Sequence, residues 1–122
     1  MLTLFGIKQC DTVKKALNWL TENDVEHTFH DIRKDGLDEQ MIQRWADAVG
    51  WQIMVNKRST TWRNLSDDVK NNLSAENALA LLLKNPTLIK RPVVEHQGGV
   101  IIGFKAADFA AAFTPTKNQP RH

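Results

Sequence analysis

The stretch LFGIKQCDTVKKAL, residues 4–17, decides which fold the sequence predicts. It starts inside the apolar run LTLF, which is typical of a short buried strand, and Gly6 follows that run. Apolar side chains then recur at helical spacing, and Asp11 or Thr12 is expected to cap the helix. Cys10, the only cysteine of the chain, stands at the turn between the two elements. We therefore expect a strand, a turn and a helix, with a thiol at the turn.

The following segments extend this unit into a mixed sheet. EHTFHDI, residues 26–32, predicts a second strand, and the order strand, helix, strand favours two parallel strands. Helical spacing dominates residues 37–85. RPVVEHQGGVIIGF, residues 91–104, predicts a hairpin around a glycine turn, and KAADFAAAF predicts a last helix that stops at Thr114-Pro115. This order predicts an α/β fold.

The chain is expected to form one domain. Its 122 residues are enough for a single hydrophobic core. We place the domain at residues 1–115, with a helical insertion at about 37–85 and a disordered tail at 116–122. Within the insertion, Ser66 and Ser74 are the expected caps of two helices.

The composition is ordinary for a globular protein, since 42% of the residues are hydrophobic and 25% are charged. No apolar run is long enough to span a bilayer, and the first residues lack the features of a signal peptide. A lone cysteine forms no internal disulfide, which fits a reducing compartment. We therefore expect a cytoplasmic protein with no membrane partner. A net charge of only +2, without a basic stripe of interleaved aromatic residues, argues against a nucleic-acid partner.

Cys10 has two interpretations. The thiolate is the reactive form of cysteine, and a helix N-terminus and nearby cations such as Lys8 favour it, whereas Asp11 opposes it. The alternative is a buried cysteine that acts as a small hydrophobic residue. Its place at a turn, outside the strand and the apolar helix face, favours the reactive thiol. Val13 stands where a Cys-x-x-Cys pair would have its second thiol, so a resolving thiol must come from another molecule.

Two basic motifs are candidates for anion binding. NKRST contains Arg58, and IKRPVV contains Arg91 directly before Pro92. Arginine presents a planar fork that suits carboxylates and oxyanions, although an isolated arginine is more often a solvated surface charge. The peptide bond before Pro92 is a candidate for the cis form. The histidine spacing matches no metal site, and we expect the four tryptophans to pack the insertion rather than bind bases.

These motifs, in this order and spacing, resemble the ArsC-like arsenate reductase family, and the chain looks most similar to its YffB branch. The resemblance covers nearly the whole chain up to the tail. It implies a thioredoxin-like fold with a four-stranded mixed sheet and a helical insertion. It also implies that Cys10 is the nucleophile, that Arg58 and Arg91 hold an oxyanion, and that Pro92 is a cis-proline beside the active-site loop. We group Lys8 with Arg58, Arg91 and Pro92 as residues that bind glutathione or substrate.

The sequence departs from this family's pattern at three positions. A histidine that precedes the family's cysteine is replaced here by Gly6, and a third arginine at the end of the hairpin is replaced by Gly103 or Phe104. The related Spx proteins usually carry a Cys-x-x-Cys switch, which Val13 removes. We therefore expect arsenate reduction to be absent or very slow.

Together these residues predict a monothiol oxidoreductase that uses glutathione as a co-substrate and needs no metal. Its partner is expected to be glutathione or a small thiol or disulfide substrate. Two alternatives stay open. One is an arsenate reductase-like enzyme with an incomplete arginine set, and the other is a non-catalytic, Spx-like module that binds a protein partner.

Overall fold

The computed structural model describes residues 2–113. The chain begins as predicted, with strand, helix and strand: β1 (Leu2–Gly6), α1 (Asp11–Glu22) and β2 (His27–Asp31). The two strands are parallel, with Leu2 opposite His27 and Gly6 opposite Asp31. The predicted βαβ beginning is confirmed.

The middle of the chain is helical, as its periodicity predicts. Its elements are α2 (Glu39–Val49), α3 (Trp51–Met54), α4 (Thr60–Arg63), α5 (Asp67–Asn71), α6 (Ala75–Lys84) and a 3₁₀ turn (Pro86–Leu88). Ser66 and Ser74 cap α5 and α6 as expected, each accepting a hydrogen bond from a backbone N–H three residues on. The Asn77 side-chain oxygen in turn accepts a hydrogen bond from the Ser74 N–H, which completes a capping box.

The predicted hairpin completes the sheet. Its strands are β3 (Val93–His96) and β4 (Gly99–Ile102), and the final helix is α7 (Ala106–Phe113). The strand order is β2-β1-β3-β4, with β3 antiparallel to both of its neighbours. This is the four-stranded mixed sheet expected of a thioredoxin-like fold. The expected helix stop at Thr114-Pro115 and the expected tail at 116–122 lie outside the described residues.

The fold divides into two compact units. The first is built from the two ends of the chain, up to Asp31 and from Arg91 onward, and the second is Ile32–Lys90. The sheet belongs to the first unit and α2–α6 belong to the second. The assignment of residues 1–115 to one domain stays a prediction. Among residues 2–113, no helix combines the length and hydropathy that a membrane span requires.

The core of the first unit joins the sheet to α1 and α7. Its buried members are Leu2, Leu4, Val13, Ala16, Leu20, Val94 and Phe109. Trp19 packs beside this cluster and meets the Phe109 ring edge-on, with 5.5 Å between centroids. The expectation that all four tryptophans pack the insertion is therefore wrong for Trp19, because the helix that carries it is part of the sheet unit.

The second unit has its own core. Here α2 packs against α3 and α6, and α6 packs against the 3₁₀ turn. Trp45 on α2 is fully buried, as are Met54 and Leu82. An isolated bridge between Val55 and Ile89 ties the end of α3 to the segment after the 3₁₀ turn.

His96 ends β3, and its ring makes the hairpin turn sensitive to acid. Its Nδ1 accepts a hydrogen bond from the Gly98 N–H at 3.1 Å, and its ring meets the Phe113 ring edge-on at 5.2 Å between centroids. Desolvation by burial lowers the pKa of His96 below its ordinary value of 6.5. The folded state therefore binds a proton less readily than the unfolded chain. The contribution of His96 to stability is complete above pH 6.5 and is lost as the pH falls through the lowered value.

When the pH is lowered from about 7 to about 5, the range in which an ordinary histidine gains its proton, the melting temperature of a His96→Asn variant is expected to fall less than that of the wild type. Asparagine stays neutral, and its side-chain oxygen can accept the same hydrogen bond two residues on. The two proteins differ at position 96 alone, so the comparison isolates this side chain. Melting temperatures across this range measure the effect. Parallel curves for the two proteins would contradict the role given to His96.

Candidate active site

Cys10 is itself the N-cap of α1. Its backbone is extended, at φ −79° and ψ 123°, and its carbonyl accepts the first helical hydrogen bond, from the Lys14 N–H at 3.0 Å. Its own N–H donates to the Ile7 carbonyl at 3.1 Å, which closes the turn after β1. The expected caps Asp11 and Thr12 are therefore wrong, because this backbone turn starts the helix one residue earlier. The Cys10 side chain makes no capping hydrogen bond.

The Cys10 thiol lies between the core and solvent. The residue is half-buried and packs against the core cluster of the first unit, whereas Lys8 and Gln9 before it are exposed. The backbone N–H groups of the first helical turn have no partner within the helix, and they create a partial positive charge at this end. The partial positive charge of the helix N-terminus therefore lies at Cys10, and one side of this residue packs against the core.

Gly6 allows α1 to approach β1 closely beside this turn. A Cβ atom at position 6 would lie 2.7 Å from Cγ2 of Val13 and 3.1 Å from its Cγ1. The first distance is shorter than real Cβ contacts, so no side chain fits at position 6 without movement. Val13 is fully buried, one turn into the helix that Cys10 begins. Sequence reasoning missed this contact, although a glycine between a strand and a helix is a general signal of close backbone approach.

Arg91 and Pro92 lie at the same end of the sheet as the Cys10 turn. Val93, the first residue of β3, pairs with Phe5, so the antiparallel register places Arg91-Pro92 beside the end of β1 that leads to Cys10. The Arg91–Pro92 peptide bond is cis, as expected. Pro92 is buried, whereas Arg91 is half-buried with its Nε atom fully covered.

Gly103 and Phe104 occupy the position where the family resemblance implies a third arginine. The Gly103 N–H donates to the Pro92 carbonyl at 2.8 Å, and Gly103 has a φ of 84°, a conformation that favours glycine. The Phe104 ring meets the Phe109 ring edge-on, at 4.8 Å between centroids, and packs against the core. Neither residue can donate a charged hydrogen bond. Lys105, the next residue, is exposed.

The structure brings three of the predicted site residues to one end of the sheet, namely Cys10, Arg91 and Pro92, with Lys8 in the same turn as the cysteine. Arg58 belongs to the second unit, in the turn before α4. It is exposed, and its backbone N–H donates to Asn56 Oδ1 at 3.1 Å. Among residues 2–113, no group of three or more histidine, cysteine, aspartate or glutamate side chains is arranged to hold a metal ion.

The chain is similar to several known proteins. A model of the ArsC family matches residues 5–112. The chain is 52% identical over 113 residues to an uncharacterized protein of Haemophilus influenzae, which covers 93% of this chain and 99% of that protein. It is 32% identical over 113 residues to the global transcriptional regulator Spx of Streptococcus pyogenes serotype M3, which covers 91% of this chain and 84% of Spx. The solved structure of the YffB protein superposes with a TM-score of 0.86 at 43% identity, covering 92% of this chain and 98% of that one. The chain therefore belongs to the ArsC family, whose model matches most of its length, and its four-stranded mixed sheet gives it the thioredoxin-like, arsenate reductase-like fold.

Proposed function

We propose that this protein is a glutathione-dependent thiol–disulfide oxidoreductase that works with one cysteine. The observation that carries the proposal is the position of Cys10, the N-cap of the twelve-residue helix α1, half-buried and free of any capping bond. A thiolate there is favoured by the free N–H groups of the helix terminus, and it is the form of cysteine that attacks a disulfide.

The proposed reaction has two exchange steps. The Cys10 thiolate attacks the glutathione sulfur of a substrate–glutathione mixed disulfide, so the new sulfur–sulfur bond joins Cys10 to glutathione and the substrate leaves as a thiolate that takes a proton. A second glutathione, as its thiolate, attacks the glutathione sulfur of that adduct. Oxidised glutathione forms and the Cys10 thiolate is restored. Over the two steps the mixed disulfide and one glutathione thiol become the substrate thiol and oxidised glutathione, so the substrate sulfur gains the electron that the second glutathione sulfur loses.

Three cations are assigned to the carboxylates of glutathione. Arg91 is supported by its position at the Cys10 end of the sheet, and Lys8 by its place in the exposed turn. Arg58 is assigned by family resemblance, and its exposed side chain forms no ion pair with any residue from 2 to 113. The buried Pro92 lies beside Arg91, at the Cys10 end of the sheet.

Arg91→Lys is expected to raise the KM for glutathione about tenfold, because lysine keeps the charge but not the planar fork that binds a carboxylate through two hydrogen bonds. We expect the rate of alkylation of Cys10 to change much less, since the positive charge remains. Steady-state kinetics at varied glutathione measure the effect. Arg63→Lys, at an exposed arginine of α4, is the matched control. An unchanged KM in the Arg91 variant would remove Arg91 from the glutathione site.

The mass of the intact protein after exposure to oxidised glutathione tests the proposal. A single glutathione adduct on Cys10, formed quickly at neutral pH and removed by reduced glutathione, is the expected result. A thiol that stays unmodified would instead favour a binding module without turnover. That second candidate is supported by the 32% identity to Spx, a transcriptional regulator by name.

Arsenate reduction is expected to be absent or very slow in a glutathione-coupled assay. An arsenate oxyanion needs several fixed donors, each charge-assisted hydrogen bond contributing about 1.5–3 kcal/mol. At the end of β4 the chain offers the Phe104 ring, packed on Phe109, in place of an arginine. Phe104→Arg tests the cause, and Lys105→Ala shows whether the adjacent cation supplies residual activity. Wild-type turnover as fast as disulfide reduction would contradict this expectation.

A further inference from the structure

The second unit contains a pocket that the proposed thiol chemistry does not use. Its volume is about 410 Å³, within the range of small-molecule sites. Two indole rings, Trp51 and Trp62, and two ammonium groups, Lys57 and Lys70, take part in its lining, together with the amide of Asn71. Among residues 2–113, no aspartate or glutamate lines it. A pocket with this lining is suited to a ligand that is both aromatic and anionic.

The two lysines converge on one ring. The Lys57 Nζ lies 5.6 Å from the Trp62 ring centroid and the Lys70 Nζ lies 5.5 Å from it. Each contact is a cation–π interaction. Neither lysine forms an ion pair with any residue from 2 to 113. Both ammonium groups line the same pocket, so an anion bound there would give them charge-assisted hydrogen bonds.

The indole rings of the lining indicate which aromatic group the ligand carries. Indole rings stack with nucleobases through their faces, whatever the base. Lysine has a long flexible stem, so an anion can draw both ammonium groups from the Trp62 ring and leave its face to the base. We propose that this pocket binds a nucleotide, with its phosphate on Lys57 and Lys70 and its base against Trp51 or Trp62. The proposal does not depend on Cys10 or on its reaction, and it departs from the expectation that the tryptophans pack the insertion rather than bind bases.

The test is a titration with adenosine 5′-monophosphate, followed by the NMR signals of the four indole N–H groups. The signals of Trp51 and Trp62 are expected to shift together and to saturate. Trp19, in the first unit, and the fully buried Trp45 serve as internal controls and should not move. Adenosine alone and inorganic phosphate alone should each bind at least about tenfold more weakly, because each lacks one of the two contacts. A single-stranded oligoadenylate that binds more tightly than the monophosphate would identify the source as nucleic acid rather than free nucleotide.

Variants separate the pocket from general surface charge. Lys57→Gln and Lys70→Gln should each weaken monophosphate binding about tenfold, whereas Lys14→Gln, on the exposed face of α1, should leave it unchanged. Circular dichroism shows whether each variant is folded. The proposal is overturned if the monophosphate moves no indole signal, if all four signals move alike, or if phosphate alone binds as tightly as the nucleotide.

Discussion

A Cys10→Ser variant is expected to lose glutathione-coupled disulfide reduction completely while it keeps its fold. The hydroxyl oxygen cannot form the disulfide with glutathione on which both proposed steps depend. No other cysteine exists in the chain to replace it. Reduction of a glutathione mixed disulfide, measured through the formation of oxidised glutathione, is the readout for activity.

The stability of the same variant separates catalysis from folding. Serine is a preferred N-cap residue, and its oxygen can accept a first-turn N–H, a bond worth about 0.5–2 kcal/mol relative to alanine. The Cys10 side chain makes no such bond, but it does pack against the core cluster, and that apolar contact is lost. We expect the free energy of unfolding to change by less than about 1 kcal/mol.

Cys10→Ala is the matched control, because it removes both the thiol and the capping oxygen. It should be as inactive as the serine variant and less stable. Residual activity in either variant would show that Cys10 is not the nucleophile. A large loss of stability in the serine variant would show instead that the thiol is mainly a packing group.

The sheet and the order of elements were predictable because their signals are local. The apolar run before Gly6 indicates a buried strand, and the β-branched runs on either side of Gly98-Gly99 indicate a hairpin. The end of the sheet where Arg91 and Cys10 lie follows from the register once the strands are known. Family resemblance added the roles of these residues.

The parts that were not predictable depend on contacts between distant residues. Side-chain preference alone selects Asp11 or Thr12 as the cap, whereas the hydrogen bond from the Cys10 N–H to Ile7 decides where the helix starts. The two lysines near Trp62 come from the turn before α4 and from α5. No periodic pattern in the sequence predicts these contacts, so the pocket follows only from the three-dimensional structure.

A Gly6→Ala variant is expected to be destabilised by about 1–3 kcal/mol, as overpacked core substitutions are. The new Cβ would lie 2.7 Å from Cγ2 of Val13. Val13 cannot easily swing away, because its β-branched side chain is stiff at χ1 and fully buried. The first turn of α1 must therefore move from β1, and it carries Cys10 with it. We expect the rate of Cys10 alkylation by iodoacetamide to change together with the stability.

A double variant shows whether this contact is the cause. Val13→Ala alone should lower the free energy of unfolding by about 1.5–3 kcal/mol, since the two buried γ-methyl groups of the valine are lost. The double variant should be destabilised by less than the sum of the two single variants, because the new methyl group at position 6 occupies space that the valine vacates. Urea denaturation measures the four free energies of unfolding, and the alkylation rate should return toward that of the wild type in the double variant.

Gly98→Ala, whose Cβ would meet only the edge of the His96 ring at 3.0 Å, is the control, and its effect on the free energy of unfolding should be additive with that of Val13→Ala. If the Gly6 and Val13 changes were also additive, the close approach of α1 to β1 would not be what positions the thiol.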